Sequence, residues 1–434
     1  MLATKLLSLV FVAMLVSPPT ALGGQRDMVD AYVGCSYSDN CYPFDLQTYE
    51  VGPAIEILPE GDYPYDAVMS FDGTEVWICG GSGDGVVVID RATNTVSHRI
   101  PVGEYLVGLC FGQDGSFALA SSRDEDRIYR ISTETYSVID FIQLSNHPGN
   151  LALDPVGGRI YAVEWYGGDL YEISSDGTTL LQTVPLGNSL WQLVADPAGQ
   201  WLYVTDRSSD EVRVIELASL NQETTVAVGD DPWGLDIVAD GSKLVCACED
   251  DPSVRLIDAG TWTSRVLPLE SSADPRDVDI LDSADLAYVC GGDNGSPDSV
   301  YVVDLIDDVV LKGFAIPGAS NTNVIAVQPQ MHGEAGAAPG LDELRAGSGL
   351  RLQPNPTAAG PGRLRFRLEQ AGAVDLALYD VGGRRLATLA QRRYPAGEHV
   401  VEWTRPLVND ASGPVWLRLR TAAGTQTVRA LRVD

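Results

Sequence analysis

The sequence predicts an all-β chain: a seven-bladed β-propeller followed by a small β-sandwich. Three observations carry this: a repeat of constant length, two half-blades that complete each other, and a change of pattern and charge past residue 330. Third-strand segments begin at Val86, Ile128, Leu170, Val212 and Val254, each 42 residues after the last, and a sixth begins at Val300. A period of roughly 40–45 residues, room for four short strands, is that of a propeller blade. The seventh blade is split between the two ends of the repeated region. Residues 31–35 read as a second strand, 41–45 as a third and 49–58 as a fourth, with no first strand before them. Residues 323–328 supply that missing strand. The propeller therefore spans 24–329, its last blade closed by residues 31–58 with 323–328, which leaves no sheet edge of the ring unpaired at the seam.

Within a blade the order is readable. An inner strand of small and aliphatic residues, such as 108–111 or 150–153, runs into a tight turn: Asp72-Gly73, Asp114-Gly115, Val156-Gly157, Ala198-Gly199 or Asp240-Gly241. Gly and Asp suit such reversals because they tolerate positive φ. A Tyr/Val/Ile-rich second strand, an acidic turn and the third strand follow. Apolar residues at successive positions mark strands buried on both faces between neighbouring blades. The pattern resembles the YVTN-type propeller repeat over residues 30–330, a resemblance that implies the fold and says little about function.

The N-terminus has Lys5, an apolar run over 6–16 and small residues at Ala21 and Gly23. These are the marks of a secretory signal peptide over residues 1–23. The run is too short to span a membrane, and no transmembrane segment is expected elsewhere. Seven cysteines leave at least one without an intrachain partner. Cys35 and Cys41 flank the turn of the closing blade and are expected to be bridged in an oxidising compartment. Cys79, Cys110, Cys246 and Cys290 fall on strands and read as small buried hydrophobes. Cys246 and Cys248 form C-x-C on a strand, without the His or second pair that zinc requires.

Formal net charge is −31. Residues 342–434 carry 14 Arg and 9 Asp or Glu, leaving 15 basic against 51 acidic residues in 1–341. A polyanion would be repelled by so acidic a propeller, so nucleic acid is excluded as its partner. Cations or basic partners are favoured.

Residues 330–348 are rich in Gly and Ala and read as a linker. From 349 to 434 short strands return at 350–353, 363–368, 374–379, 384–389, 399–403, 415–421 and 427–433, a sandwich pattern. Four stretches here are distinctive: Leu352 to Pro356, Val374 to Leu386, Pro395 to Trp403, and Ser412 to Trp416. In order and spacing they resemble the C-terminal sorting domain of type IX secretion substrates, similar in turn to the immunoglobulin-like domain of the flagellar hook-capping protein. The family commonly reads Ser-Gly-Val-Tyr where this chain has Ser412, Gly413, Pro414, Val415 and Trp416. The resemblance implies an immunoglobulin-like sandwich and a partner in the outer-membrane secretion machinery. It also implies a protein secreted from, or held at the surface of, a Gram-negative-type bacterium. The alternative is a plain spacer module.

Chemistry is sparse. Of the four His, only His147 sits where a channel mouth is expected, just before an inner strand. Its counterparts are Tyr63, Tyr105, Ser189, Asp231, Asp274 and Ser320; two positions on come Tyr65, Val107, Gly149, Trp191, Trp233, Arg276 and Thr322. Tyr63, Tyr65, Tyr105, His147, Trp191, Asp231, Trp233, Asp274 and Arg276 form the candidate ligand-binding mouth. Flat Trp and Tyr faces suit sugars, peptides or cations; equally, such aromatics belong to the repeat and pack between blades. Asp293 and Asp298, in the one long repeat, are the candidate metal ligands, with calcium as the ion and no other cofactor expected, though they lack EF-hand spacing. No phosphate loop, nucleophile elbow or zinc-protease helix is present. A binding protein is the leading expectation. Its rivals are a lactonase-like or quinoprotein-like enzyme with its site at the mouth, and a structural surface-layer or adhesive component.

Overall fold

The computed structural model describes residues 31–46, 48–165, 167–187, 189–281, 285–292 and 298–327. Beyond these it describes the segments 362–368, 372–379, 385–395, 397–403, 415–421 and 424–430. Among the described residues every regular element is a strand. Residues 31–327 form seven antiparallel four-stranded sheets arranged as a seven-bladed β-propeller. The inner strands are Pro64–Met69, Leu106–Phe111, Pro148–Leu153, Leu190–Ala195, Pro232–Ile237, Pro275–Leu281 and Thr322–Val327, each in contact with the next around the channel. Second and third strands are buried on both faces: Val86, Val87, Val88 and Ile89 are all inaccessible. Their alternate side chains enter two different cores, one on each side of the blade. That is why these strands read as unbroken apolar runs.

The ring closes as the split repeat predicts. Ala31–Cys35 pairs with Asn40–Phe44 on one side and with Thr322–Val327 on the other, Ala31 opposite Val327 and Val33 opposite Ile325. Gly34 is needed at this seam, since a Cβ there would come within 2.7 Å of Val324. The fourth strand of this blade is shorter than the expected 49–58. It is reduced to Ile55–Glu56 and an isolated bridge between Phe44 and Val51. Pro53 has no N–H to give a ladder, and the Gly52 N–H turns back to Pro43 O instead.

The expected bridge between Cys35 and Cys41 is not formed. Cys35 lies opposite Asn40 and Cys41 opposite Gly34, so the two thiols project from opposite faces of the sheet into separate cores. Both are free and buried, and burial pushes both thiols above their ordinary value.

Further along, Gly362–Leu368 pairs with Gly397–Trp403. Arg385–Tyr394, Gly372–Tyr379, Val415–Thr421 and Gly424–Ala430 form a four-stranded antiparallel sheet in that order. The expected strand at 350–353 lies outside the described residues.

Candidate functional site

One mouth of the channel is built from the turns that enter the inner strands. Tyr63, Tyr105, Asp231 and Asn321 occupy the left-handed region there, with φ between 54° and 62°. For non-glycine residues this conformation needs support. The support comes from the preceding blade: the carboxylates of Asp39, Asp84 and Asp210 accept the N–H groups of Tyr63, Tyr105 and Asp231 at 3.3, 3.3 and 3.1 Å. Asp298 takes the same part in the last blade, accepting the Thr322 N–H at 2.8 Å. The carboxylate proposed as a metal ligand is thus engaged as an inter-blade latch. Asp293 lies outside the described residues, and among the described residues no group of three metal-ligating side chains occurs. His147 occupies the equivalent rim position. Its Nδ1 lies 2.9 Å from Arg123 O and 3.3 Å from Asp126 Oδ1, its side chain half exposed.

The mouth is capped by aromatic rings. Tyr65, Tyr105, Trp165, Trp191 and Trp233 form one cluster over the inaccessible Val107, with centroids 5.5 Å apart for Tyr65–Tyr105, 4.5 Å for Trp165–Trp191 and 4.3 Å for Trp191–Trp233. Tyr63 extends it against Tyr65 at 5.3 Å, and the Tyr65 and Tyr105 hydroxyls share a 2.8 Å hydrogen bond. Guanidinium groups lie over the rings: Arg123 3.3 Å from the Tyr105 centroid and Arg207 4.0 Å from that of Trp233. An alternating chain of charge crosses the cap. Arg207 holds Asp231 through two 2.5 Å hydrogen bonds and reaches Glu249 at 3.1 Å. Arg276 continues it, 2.7 Å from Glu249 and 3.6 Å from Asp274, and donates to Asn323 Oδ1 at 3.2 Å. Burial pushes the Glu249 carboxyl up, and the two guanidinium groups pull against it.

The structure therefore gathers Tyr63, Tyr65, Tyr105, Trp191 and Trp233 into one aromatic cap, strings Asp231, Asp274 and Arg276 into one ionic chain, and leaves His147 at the rim. Sequence reasoning did not place Arg123, Trp165, Arg207 and Glu249 at the mouth. They stand where the second strand ends, and their N–H groups bond to the carbonyls of Tyr105, His147, Ser189 and Asp231. The signal was present, because these four positions are themselves 42 residues apart. The last blade also shifts by one residue. Asn321 and Asn323, rather than Ser320 and Thr322, match the other blades, as the pairing of Thr322 with Cys35 and the left-handed Asn321 show.

Below the cap the inner strands present their free edges to the channel, and four carboxylates close them. Asp66 accepts the Leu109 N–H at 2.7 Å, Asp236 that of Ile280 at 2.8 Å, Asp277 that of Ile325 at 3.0 Å and Asp279 that of Val327 at 2.7 Å. Each reaches from one blade to the next. Tyr65, Asp66, Asn150, Trp191, Gln192, Trp233, Gly234, Asp277 and Asn323 line a narrow space with room for little more than a water molecule. Asp66 and Asp277 line this space, deep in the channel yet partly accessible. Desolvation raises their pKa values to about 7 and about 8, against the pull of the N–H groups they accept.

This geometry defines the class of protein: a seven-bladed β-propeller with one mouth sealed by aromatic and paired charged side chains. The likeness to known proteins stops at that level. No family model and no curated protein matches the chain. Among solved structures it is similar to the hydrazine synthase of Kuenenia stuttgartiensis, with a TM-score of 0.54 and 16% identity over 62% of this chain and 90% of that one. It is also similar to a functionally unknown protein from Desulfotomaculum acetoxidans, with a TM-score of 0.58 and 15% identity over 69% of this chain and 99% of that one. At such identities the likeness shows the fold alone.

Proposed function

We propose that the propeller is an exported docking platform that binds a protein or peptide partner across its capped mouth. The observation that carries this reading is the cap itself. The rings of Trp165, Trp191 and Trp233 pack on one another, and the Arg123 and Arg207 guanidinium groups lie over them, which supports a mouth that is a surface rather than a hole. The space beneath has room for little more than a water molecule, far short of the roughly 300–1,000 Å³ usual for small-molecule sites. Trp, Tyr and Arg held in place by neighbours are the residues that concentrate binding energy at protein interfaces. The paired Asp231, Glu249 and Asp274 add acidic rim groups that favour a partner with basic side chains.

The resemblance of residues 349–434 to a type IX sorting domain supports export across an outer membrane, with residues 1–23 as the signal for the first step. The 362–430 strands are compatible with an immunoglobulin-like sandwich. Two measurements test the reading. The purified propeller is probed on basic-peptide and glycan arrays beside a Trp233→Ala variant; peptide binding lost in the variant supports the platform, and binding indifferent to Trp233 overturns it. The chain lacking 349–434 is followed by cell fractionation; retention in the periplasm supports the sorting role, and normal surface delivery removes it.

A further inference from the structure

Cys246 and Cys248 sit two residues apart on the strand Lys243–Cys248, and so on the same face of it. Both are inaccessible. The neighbouring strand Ser253–Asp258 places Arg255 opposite Cys246 and Ser253 opposite Cys248, again on that face. The Cys246 thiol donates to Ala247 O at 3.8 Å, and the Gly229 backbone lies against Cys248. Arg255 is tied by one nitrogen, Nη2, to Asp251 at 2.5 Å. Two polar atoms in this knot have no hydrogen-bond partner: Arg255 Nε, and Ser253 Oγ on a side chain only 2% exposed. Unpaired buried polar atoms are rare in native folds and call for an explanation. The next residue after Cys248 is Glu249, so the cluster lies just beneath the charged rim of the mouth.

The spacing decides what these thiols are suited to. A strand rises about 3.3–3.4 Å per residue, which puts the two Cβ atoms about 6.7 Å apart. A disulfide needs Cβ atoms about 3.5–4.5 Å apart, so this pair cannot close one without moving the backbone. A metal ion between two thiolates is another matter. Two metal–sulfur bonds of about 2.3 Å, laid end to end, separate the sulfurs by about 4.6 Å, which side chains at these positions reach in place. Hard cations want oxygen ligands, and zinc wants four ligands; two thiolates alone select a soft ion such as Cu(I).

We propose that Cys246 and Cys248 form a two-coordinate thiolate site for a soft monovalent ion, with cuprous copper as its type. Binding converts two thiols and one cuprous ion into a dithiolate complex of net charge −1 and releases two protons. The Arg255 guanidinium faces that charge from the adjacent strand, its Nε free to donate to a coordinating sulfur. The Gly229 N–H and the Ser253 hydroxyl supply further donors to the other.

The test uses the full chain under a non-thiol reductant, with Cu(I) buffered by bathocuproine disulfonate as competing chelator. One cuprous ion per chain is expected, with X-ray absorption showing two sulfur neighbours. Cys246→Ser and Cys248→Ser should each weaken retention at least a hundredfold, while Cys79→Ser retains it. No retention against the chelator, retention unchanged in Cys246→Ser, or nitrogen and oxygen neighbours at the metal would each overturn the proposal. So would a Cys246–Cys248 disulfide in air-oxidised protein. Should the serine variants not fold, anomalous scattering from copper-loaded crystals of the natural chain decides alone: a peak between the two sulfurs supports the site, and a peak anywhere else refutes it.

Discussion

Raising the pH should loosen the ring through Asp66 and Asp277. In an unfolded chain both carboxyls lose their protons near 3.8; in the folded ring they keep them up to about 7 and about 8. Between those limits the native state holds more protons than the unfolded state, so stability falls as pH rises. The penalty is absent below pH 3.8, grows through neutrality and is complete above about pH 8. From pH 5 to pH 9 Asp277 crosses about three units of this window and Asp66 about two, at 1.36 kcal/mol each. Part of the Asp277 shift is repulsion from Asp66, which is counted once. Both side chains are partly accessible from the channel, which screens the effect, and the joint loss is on the order of a few kcal/mol. Urea unfolding at constant salt, followed at five pH values from 5 to 9, should show the midpoint falling steadily. Asp277→Asn keeps an acceptor for the Ile325 N–H but cannot ionise, so it should flatten the upper part of that slope. A midpoint that is level or rises across the range would refute the reasoning, as would an Asn variant with the full natural slope.

Tyr32→Ala empties a fully buried site at the seam and should cost about 3–5 kcal/mol in chemical unfolding; a cost below about 1 kcal/mol would contradict the role given to the seam. Cys35 and Cys41 should resist alkylation in the native chain and both react in urea without reductant, whereas a non-reduced peptide linking them would overturn the register described. Arg207→Ala strands Asp231 and Glu249 beside each other and should destabilise by about 1–2 kcal/mol at pH 7, since the group is 22% exposed. That loss should shrink as the pH is lowered and Glu249, whose carboxyl burial pushes up, takes up its proton; an equal loss at pH 7 and at pH 4 would count against the ionic chain. Removing 349–434 should leave the melting temperature of the propeller within about 2 °C, and a larger fall would show that the segment supports the ring.

The blade count was legible because burial on both faces forces third strands into one apolar pattern at a constant interval. The same interval would have found Arg123, Trp165, Arg207 and Glu249, but they end a different strand and mix residue types, so composition did not mark them as one ring. Asp66 and Asp277 were illegible for another reason. An inner strand reads as small and apolar, and nothing in its pattern says that its free edge needs acceptors from the neighbouring blade. The Cys35–Cys41 expectation rested on closeness along the chain. Parity decided otherwise, since the hairpin pairs Cys35 with Asn40 and so turns Cys41 to the far side. In the last blade the left-handed Asn321 shifted the register by one, a conformational choice that Asn permits and no spacing announces.

The seam has a consequence for unfinished molecules. Ala31–Cys35 is made early in the chain, but its partner Thr322–Val327 comes only after the six complete repeats. A chain cut short before that point keeps every blade but the last whole, yet carries an orphan strand at its front and no strand to cover it. The uncovered edge of Ala31–Cys35 in one such fragment is a template for the same edge of another. An edge paired with its own copy is an isologous contact, which closes at two molecules. Truncation products of this protein should therefore be found as pairs, through an edge that Thr322–Val327 already occupies in the full-length ring.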